Sequence, residues 1–106
     1  MKKNITELTN IIRSKNSGPY ELTLDLMFNS LENYRYVSEH KVINEELICK
    51  LYQITPDQII SIVHFDPANA IKVTIVRPLC SGDLGETDVY GAQQHAPLLD
   101  IMVDLP

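Results

Sequence analysis

The stretch Tyr20–Phe28, YELTLDLMF, alternates without a break. Tyr20, Leu22, Leu24, Leu26 and Phe28 fall on one side, and Glu21, Thr23, Asp25 and Met27 on the other. Side chains in a strand point to opposite faces with a period of two, so this pattern fits a strand and excludes an amphipathic helix. The apolar set is expected to face a core.

A strand with one apolar face needs neighbours that bury it. AIKVTIV (70–76) places Ile71, Val73 and Ile75 on one face and Lys72 and Thr74 on the other. IISIVHF (59–65) is rich in β-branched residues. The two are joined by Asp66-Pro67-Ala68-Asn69, which is turn chemistry, so they are expected to form a hairpin. LLDIMVDL (98–105) sets Leu99, Ile101, Val103 and Leu105 against Asp100, Met102 and Asp104. ITELTNII (5–12) fits a strand or a short helix, with a strand preferred, and RSKNSGP (13–19) is read as the turn that ends it.

The middle of the chain has a helical period. Asn29 is read as an N-cap with Glu32 completing a capping box, followed by the stripe Leu31, Tyr34, Val37 through about His40. Asn44 caps a second helix with Glu45 and Glu46 in its first turn and Leu47, Ile48, Leu51 and Tyr52 on its buried side. Thr55-Pro56-Asp57-Gln58 predicts one further short turn of helix. Blocks of strands around a block of helices indicate an α+β fold, a mainly antiparallel sheet with helices on one face.

With 106 residues the chain is read as a single domain, 1–106. A net charge of −5 with scattered basic residues argues against a nucleic-acid surface, which needs a clustered positive footprint. No apolar run reaches the length of a membrane span, and the N-terminus lacks a signal peptide's apolar segment. Cys49 and Cys80 form no CxxC pair and are expected to be reduced thiols of a cytoplasmic protein. No cofactor motif and no metal-ligand spacing is present.

Three groups of residues could carry chemistry. Arg13, Ser14, Lys15, Asn16 and Gly18 combine cationic side chains, hydroxyl and amide groups and a glycine, the chemistry that a carboxylate or phosphate requires; the plain alternative is a solvated turn. Asp25 and Lys72 are charges in the middle of well-patterned strands. Exposure to solvent is the simpler reading of each; the other is a cleft in which Lys72 or Arg77 pairs with Asp25. His64 is read as a packed strand residue.

The third group lies in SGDLGETDVYGAQQHAPLLD, residues 81–100, which holds three of the four glycines of the chain. Asp83, Asp88, Tyr90, Gln93, Gln94 and His95 concentrate donors and acceptors there, suited to a polar ligand or a polar protein surface. Asp88 and His95 match no standard metal spacing, and Ser81 or Cys80 with His95 lacks a nucleophile motif such as GxSxG.

The motifs R-S-K-N-x-G-P, L-T-x-D, F-D-P-A-x-A-I-K and D-x-Y-G-A-Q-Q-H-A-P-L run from about Leu8 to Ile101. Together they resemble a family of small bacterial proteins of unknown function related to the AtuA (acyclic terpene utilisation) group, whose large proteins carry or accompany a small ferredoxin-fold domain. Arg13, Ser14 and Gly18 match the R-S-G-D-K-G stretch of that small domain, while Lys15-Asn16-Ser17 departs from it. The resemblance implies a ferredoxin-like two-layer sandwich. It implies a larger AtuA-like partner chain and a context of organic-acid or acyl-CoA breakdown, including the methylaspartate route.

Three functions follow as expectations. In the first, the chain is a small subunit of an enzyme with a lyase- or hydratase-type step on a carboxylic acid or CoA thioester. There Arg13, Lys15 and Asn16 bind a substrate carboxylate or phosphate, and Asp83, Asp88, Tyr90, Gln93, Gln94 and His95 line the same cleft or contact the partner. In the second it is a free-standing enzyme, with His95 as acid or base oriented by Asp88 or Asp83 and Arg13 as the anion clamp. In the third it is a structural module that forms a homo-oligomer.

Overall fold

The computed structural model describes residues 1–18, 20–76 and 96–105. Six strands and two helices follow in the order β1 (Lys2–Asn4), β2 (Thr9–Gly18), β3 (Glu21–Phe28), α1 (Leu31–Glu39), α2 (Glu45–Tyr52), β4 (Ile59–Phe65), β5 (Ala70–Val76) and β6 (Met102–Asp104). Four of the strands form one antiparallel sheet in the order β2-β3-β5-β4, and β1 pairs with β6 in a separate two-stranded ribbon. The layers are those of a ferredoxin-like α+β sandwich. The connection is a hairpin, two helices and a second hairpin, with β3 and β5 as the shared centre.

The alternation of β3 decides which face the helices cover. Leu22, Leu24, Leu26 and Phe28 are all buried and join Ile71, Val73 and Ile75 of β5 in one core. Tyr34 and Val37 of α1 and Ile48 of α2 close that core from the other side. The opposite face of the sheet carries the second set of alternating residues and is the side away from the helices. Tyr20, expected in the core, lies before the strand and is exposed.

Local chemistry sets the helix ends. Ser30, and not Asn29, is the N-cap of α1: the backbone N–H of Asn33 donates to Ser30 Oγ at 3.1 Å. Asn29 sits one residue outside and holds the entry, donating from Nδ2 to the Glu7 carbonyl and accepting from Asn33 Nδ2. Asn44 caps α2, accepting from the Leu47 N–H at 2.9 Å. At the other end of α2, Gln53 takes a left-handed conformation, φ 55 and ψ 48, and its N–H returns to the Cys49 carbonyl. Thr55–Gln58 forms the expected short turn, a 3₁₀ turn over Pro56–Gln58 in which the Thr55 N–H donates to Gln58 Oε1.

Three further expectations are corrected. Residues 13–18 are not a turn. They continue β2, paired with β3 so that Arg13 faces Asp25, Lys15 faces Thr23 and Asn16 faces Leu22. Polar residues are tolerated here because β2 is an edge strand with one covered face. Residues 5–12 are correspondingly not one strand: Ile5–Glu7 is a 3₁₀ turn capped by Asn4, and β2 begins only at Thr9. At the other end, Ala96–Asp100 is a 3₁₀ turn that buries Leu98, which leaves a strand of only three residues before the end of the described chain. Ile5 N–H donates to the Ile101 carbonyl at 2.8 Å, which ties the two turns together.

Candidate functional site

The side of the sheet away from the helices is laid out in rows across the strands. One row runs Arg13 (β2), Asp25 (β3), Lys72 (β5) and Val63 (β4), each residue facing the next in register. The row toward the β4–β5 turn is apolar: Ile11 and Met27, then Ala70, then Phe65. The row on the other side is polar, with Lys15, Thr23, Thr74 and Ser61.

A cavity of about 320 Å³ opens where the charged and apolar rows meet. Arg13, Asp25 and Lys72 form its polar wall, and Met27, Val63, Phe65, Ala68 and Ala70 its apolar wall. All four strands of the sheet and the β4–β5 turn contribute. Its size falls at the lower end of the range of small-molecule sites, about 300–1,000 Å³, and mostly apolar walls with a few convergent polar groups are typical of such sites.

Asp25 is the buried charge of this wall, only 4% exposed. A carboxylate taken out of water needs a partner, and Arg13 supplies one: Nε donates to Asp25 Oδ2 at 3.1 Å. The expected partners were Lys72 or Arg77. Arg77 lies outside the described residues. Lys72 faces Asp25 in register but makes no ion pair with it, and its ammonium has no hydrogen-bond partner among the described residues. The Asp25–Arg13 bond uses Nε alone, which leaves the two Nη groups of Arg13 for a ligand. Arg13 and Lys72 thus present cationic donors on either side of one buried carboxylate.

Other residues singled out in the sequence stand elsewhere. Ser14 is buried on the core side of β2, opposite Leu24, and Asn16 shares that side. Lys15 is exposed on the same face as Arg13, one row further along, and does not line the cavity. Gly18 ends β2 opposite Glu21. Asp83, Asp88, Tyr90, Gln93, Gln94 and His95 lie outside the described residues.

A second polar group was not expected from the sequence. Tyr34 donates from its hydroxyl to Asp66 Oδ1, and one turn further along α1 Ser38 Oγ shares a 2.6 Å hydrogen bond with His64 Nδ1. His64 is therefore held by a helix hydroxyl at the exposed edge of β4 and is not packed. Burial, followed by the hydrogen bond and the charge of Asp66, pushes the Tyr34 hydroxyl above its ordinary pKa. The i, i+4 spacing of Tyr34 and Ser38 was the available signal for one helix face meeting β4. These bonds fasten α1 to β4 and to the turn after it.

Among the described residues no three His, Cys, Asp or Glu side chains converge to hold a metal ion. No described helix is long and apolar enough to cross a membrane.

Residues 5–102 match DUF4387, a domain of unknown function. The chain belongs to the DUF4387 family. Neither a curated relative nor a solved structure matches it. The DUF4387 match runs from the Ile5 turn through the first residue of β6, so Arg13, Asp25, Lys72 and the apolar wall beside them all fall within the domain.

Proposed function

We propose that this DUF4387 chain is an accessory subunit that brings an anion-binding sheet face to a larger AtuA-like chain, in a lyase- or hydratase-type step of carboxylic-acid or acyl-CoA breakdown. The supporting observation is the sheet face away from the helices. It combines a buried, paired carboxylate and two cationic side chains with apolar residues left open to solvent: Ile11 is 43% exposed, Val63 46% and Phe65 53%. Arg13 and Lys72 serve to hold the anion. The exposed apolar residues around them suit a partner surface, since interfaces place apolar and aromatic groups at their centre. The AtuA-like partner and the class of reaction rest on the sequence resemblance alone.

Co-expression with a larger AtuA-like chain, followed by size-exclusion chromatography, tests this reading. Co-migration is expected, and independent migration of the two chains overturns the subunit role. In the reconstituted pair, Lys72→Gln and Arg13→Gln are expected to abolish most activity while the complex stays intact. Loss of the complex instead assigns these residues to the interface.

A further inference from the structure

We propose that the cavity is a site for an aliphatic monocarboxylate, bound with its carboxylate between Arg13 and Lys72 and its hydrocarbon tail along Met27, Ala70 and Phe65. The inference rests on the anion-binding half of the function proposed above and narrows it to a ligand class.

The polarity of the cavity is one-sided. Its cationic groups stand in a single row, Arg13 on one side of Asp25 and Lys72 on the other. Asp25 neutralises one positive charge through Nε of Arg13, so the described residues of the polar wall carry one net positive charge, matched to one carboxylate. A carboxylate offers two oxygens, and the Nη groups of Arg13 and the ammonium of Lys72 are donors suited to one each.

Among the described residues the opposite wall offers no further charge. Met27 and Ala70 face each other across β3 and β5, Phe65 follows on β4, and Ala68 closes the end from the turn. A second carboxylate at the far end of a ligand would be pressed against these apolar groups without a donor, at a cost in desolvation. Lys15, a further cation of this face, lies in the polar row and outside the cavity. The arrangement therefore disfavours dicarboxylates and phosphate esters. It favours a straight aliphatic chain, whose burial against methionine, alanine and phenylalanine is favourable in proportion to the area covered.

The test uses the full chain, isotopically labelled, and follows backbone amide shifts during titration with hexanoate, acetate, succinate and inorganic phosphate. Hexanoate is expected to saturate the shifts of Met27, Phe65, Ala70 and Lys72. It should bind at least about tenfold more tightly than acetate, because the added methylenes are buried. Succinate and phosphate are expected to bind no better than acetate. Lys72→Gln should weaken hexanoate by about tenfold or more, the loss of one charge-assisted hydrogen bond. Phe65→Ser should weaken hexanoate but not acetate. Both side chains are exposed, so both variants are expected to fold.

Acetate and hexanoate binding with equal affinity, or succinate binding best, overturns the monocarboxylate assignment and leaves the anion site standing. If none of the four anions shifts these amides, the anion site itself fails, and the monocarboxylate assignment with it. Neither result bears on co-migration with the larger chain, which is measured separately.

Discussion

Asp25 and Lys72 stand opposite each other across the β3–β5 pair, yet Asp25 makes its ion pair on its other side, with Arg13 of β2 at 3.1 Å. The carboxylate is buried and the arginine is half exposed. The structure thus spends one cation on internal neutralisation and keeps the second available.

Removing Arg13 should therefore cost stability as well as binding. Arg13→Met leaves a buried carboxylate without its partner, which is expected to destabilise the fold by about 1–3 kcal/mol. Solvent screening at the half-exposed guanidinium puts the value toward the lower end. The double variant Arg13→Met, Asp25→Val removes both charges and should recover most of the loss. Urea denaturation of the four proteins of this cycle measures the coupling. A coupling energy near zero would show that the pair does not hold β2 to β3.

Adjacent residues of β5 should respond in opposite ways. Ile71 is fully buried and Lys72 exposed. Ile71→Ala is expected to cost about 2–5 kcal/mol through lost burial and an unfilled cavity. Lys72→Gln should change stability by no more than about 0.5 kcal/mol, as is usual for surface positions. Thermal unfolding of the two variants checks this. Similar losses for both would mean that β5 does not divide core from site.

Stability should fall in alkaline solution. Burial and Asp66 raise the pKa of Tyr34, and burial raises that of Tyr52. Both hydroxyls are neutral in the folded and unfolded chain at neutral pH, so neither makes stability depend on pH there. Above the unfolded value of about 10, the unfolded chain releases these protons first, and stability is lost as pH rises further. Unfolding free energies measured between pH 7 and 11 should be flat for these groups and then decline. Tyr34→Phe should reduce the decline and cost about 1 kcal/mol at neutral pH, the net value of its bond to Asp66. An unchanged alkaline slope in Tyr34→Phe, Tyr52→Phe would refute the assignment.

Among the described residues, three non-glycine residues hold positive φ: Lys41 at 51°, Gln53 at 55° and Asn69 at 50°. Asparagine tolerates this region, whereas a glutamine pays a steric cost there. Gln53→Gly, just past the end of α2, is expected to raise stability by up to about 1 kcal/mol. Calorimetric melting of this variant gives the sign directly, and a lower melting temperature would mean that the Gln53 side chain contributes more than its backbone strain removes.

The parts of the fold set by local pattern were legible. The alternation of β3, the β4–β5 hairpin and the Asn44 cap all depend on residues close in sequence, and each is present. The misread segments are those where tertiary context overrides composition. Asn16, Ser17 and Gly18 have turn chemistry, but pairing with β3 draws them into an edge strand. Leu98–Leu105 alternates like a strand, yet Leu98 enters the core by way of a 3₁₀ turn. Solvent exposure is the simpler reading of Asp25, and a cleft shared with Lys72 or Arg77 the other, because the sequence does not reveal that Arg13 lies beside it. The same residue types that suggested an anion-binding loop are split by the pleat, with Arg13 at the cavity and Ser14 in the core. The Ser38–His64 bond joins a helix to a strand 26 residues away and left no local trace beyond helical spacing.

The row Arg13–Asp25–Lys72–Val63 exists only because of how the four strands are paired. The pleat that sends Leu24 and Val73 inward sends Asp25 and Lys72 outward. A slip of one residue in β3 or β5 would turn the charges into the core and the leucines into water. Misaligned folds therefore eliminate themselves, and every molecule that folds at all carries the charged row correctly assembled. The site needs no separate folding step and inherits its geometric tolerance from the core beneath it.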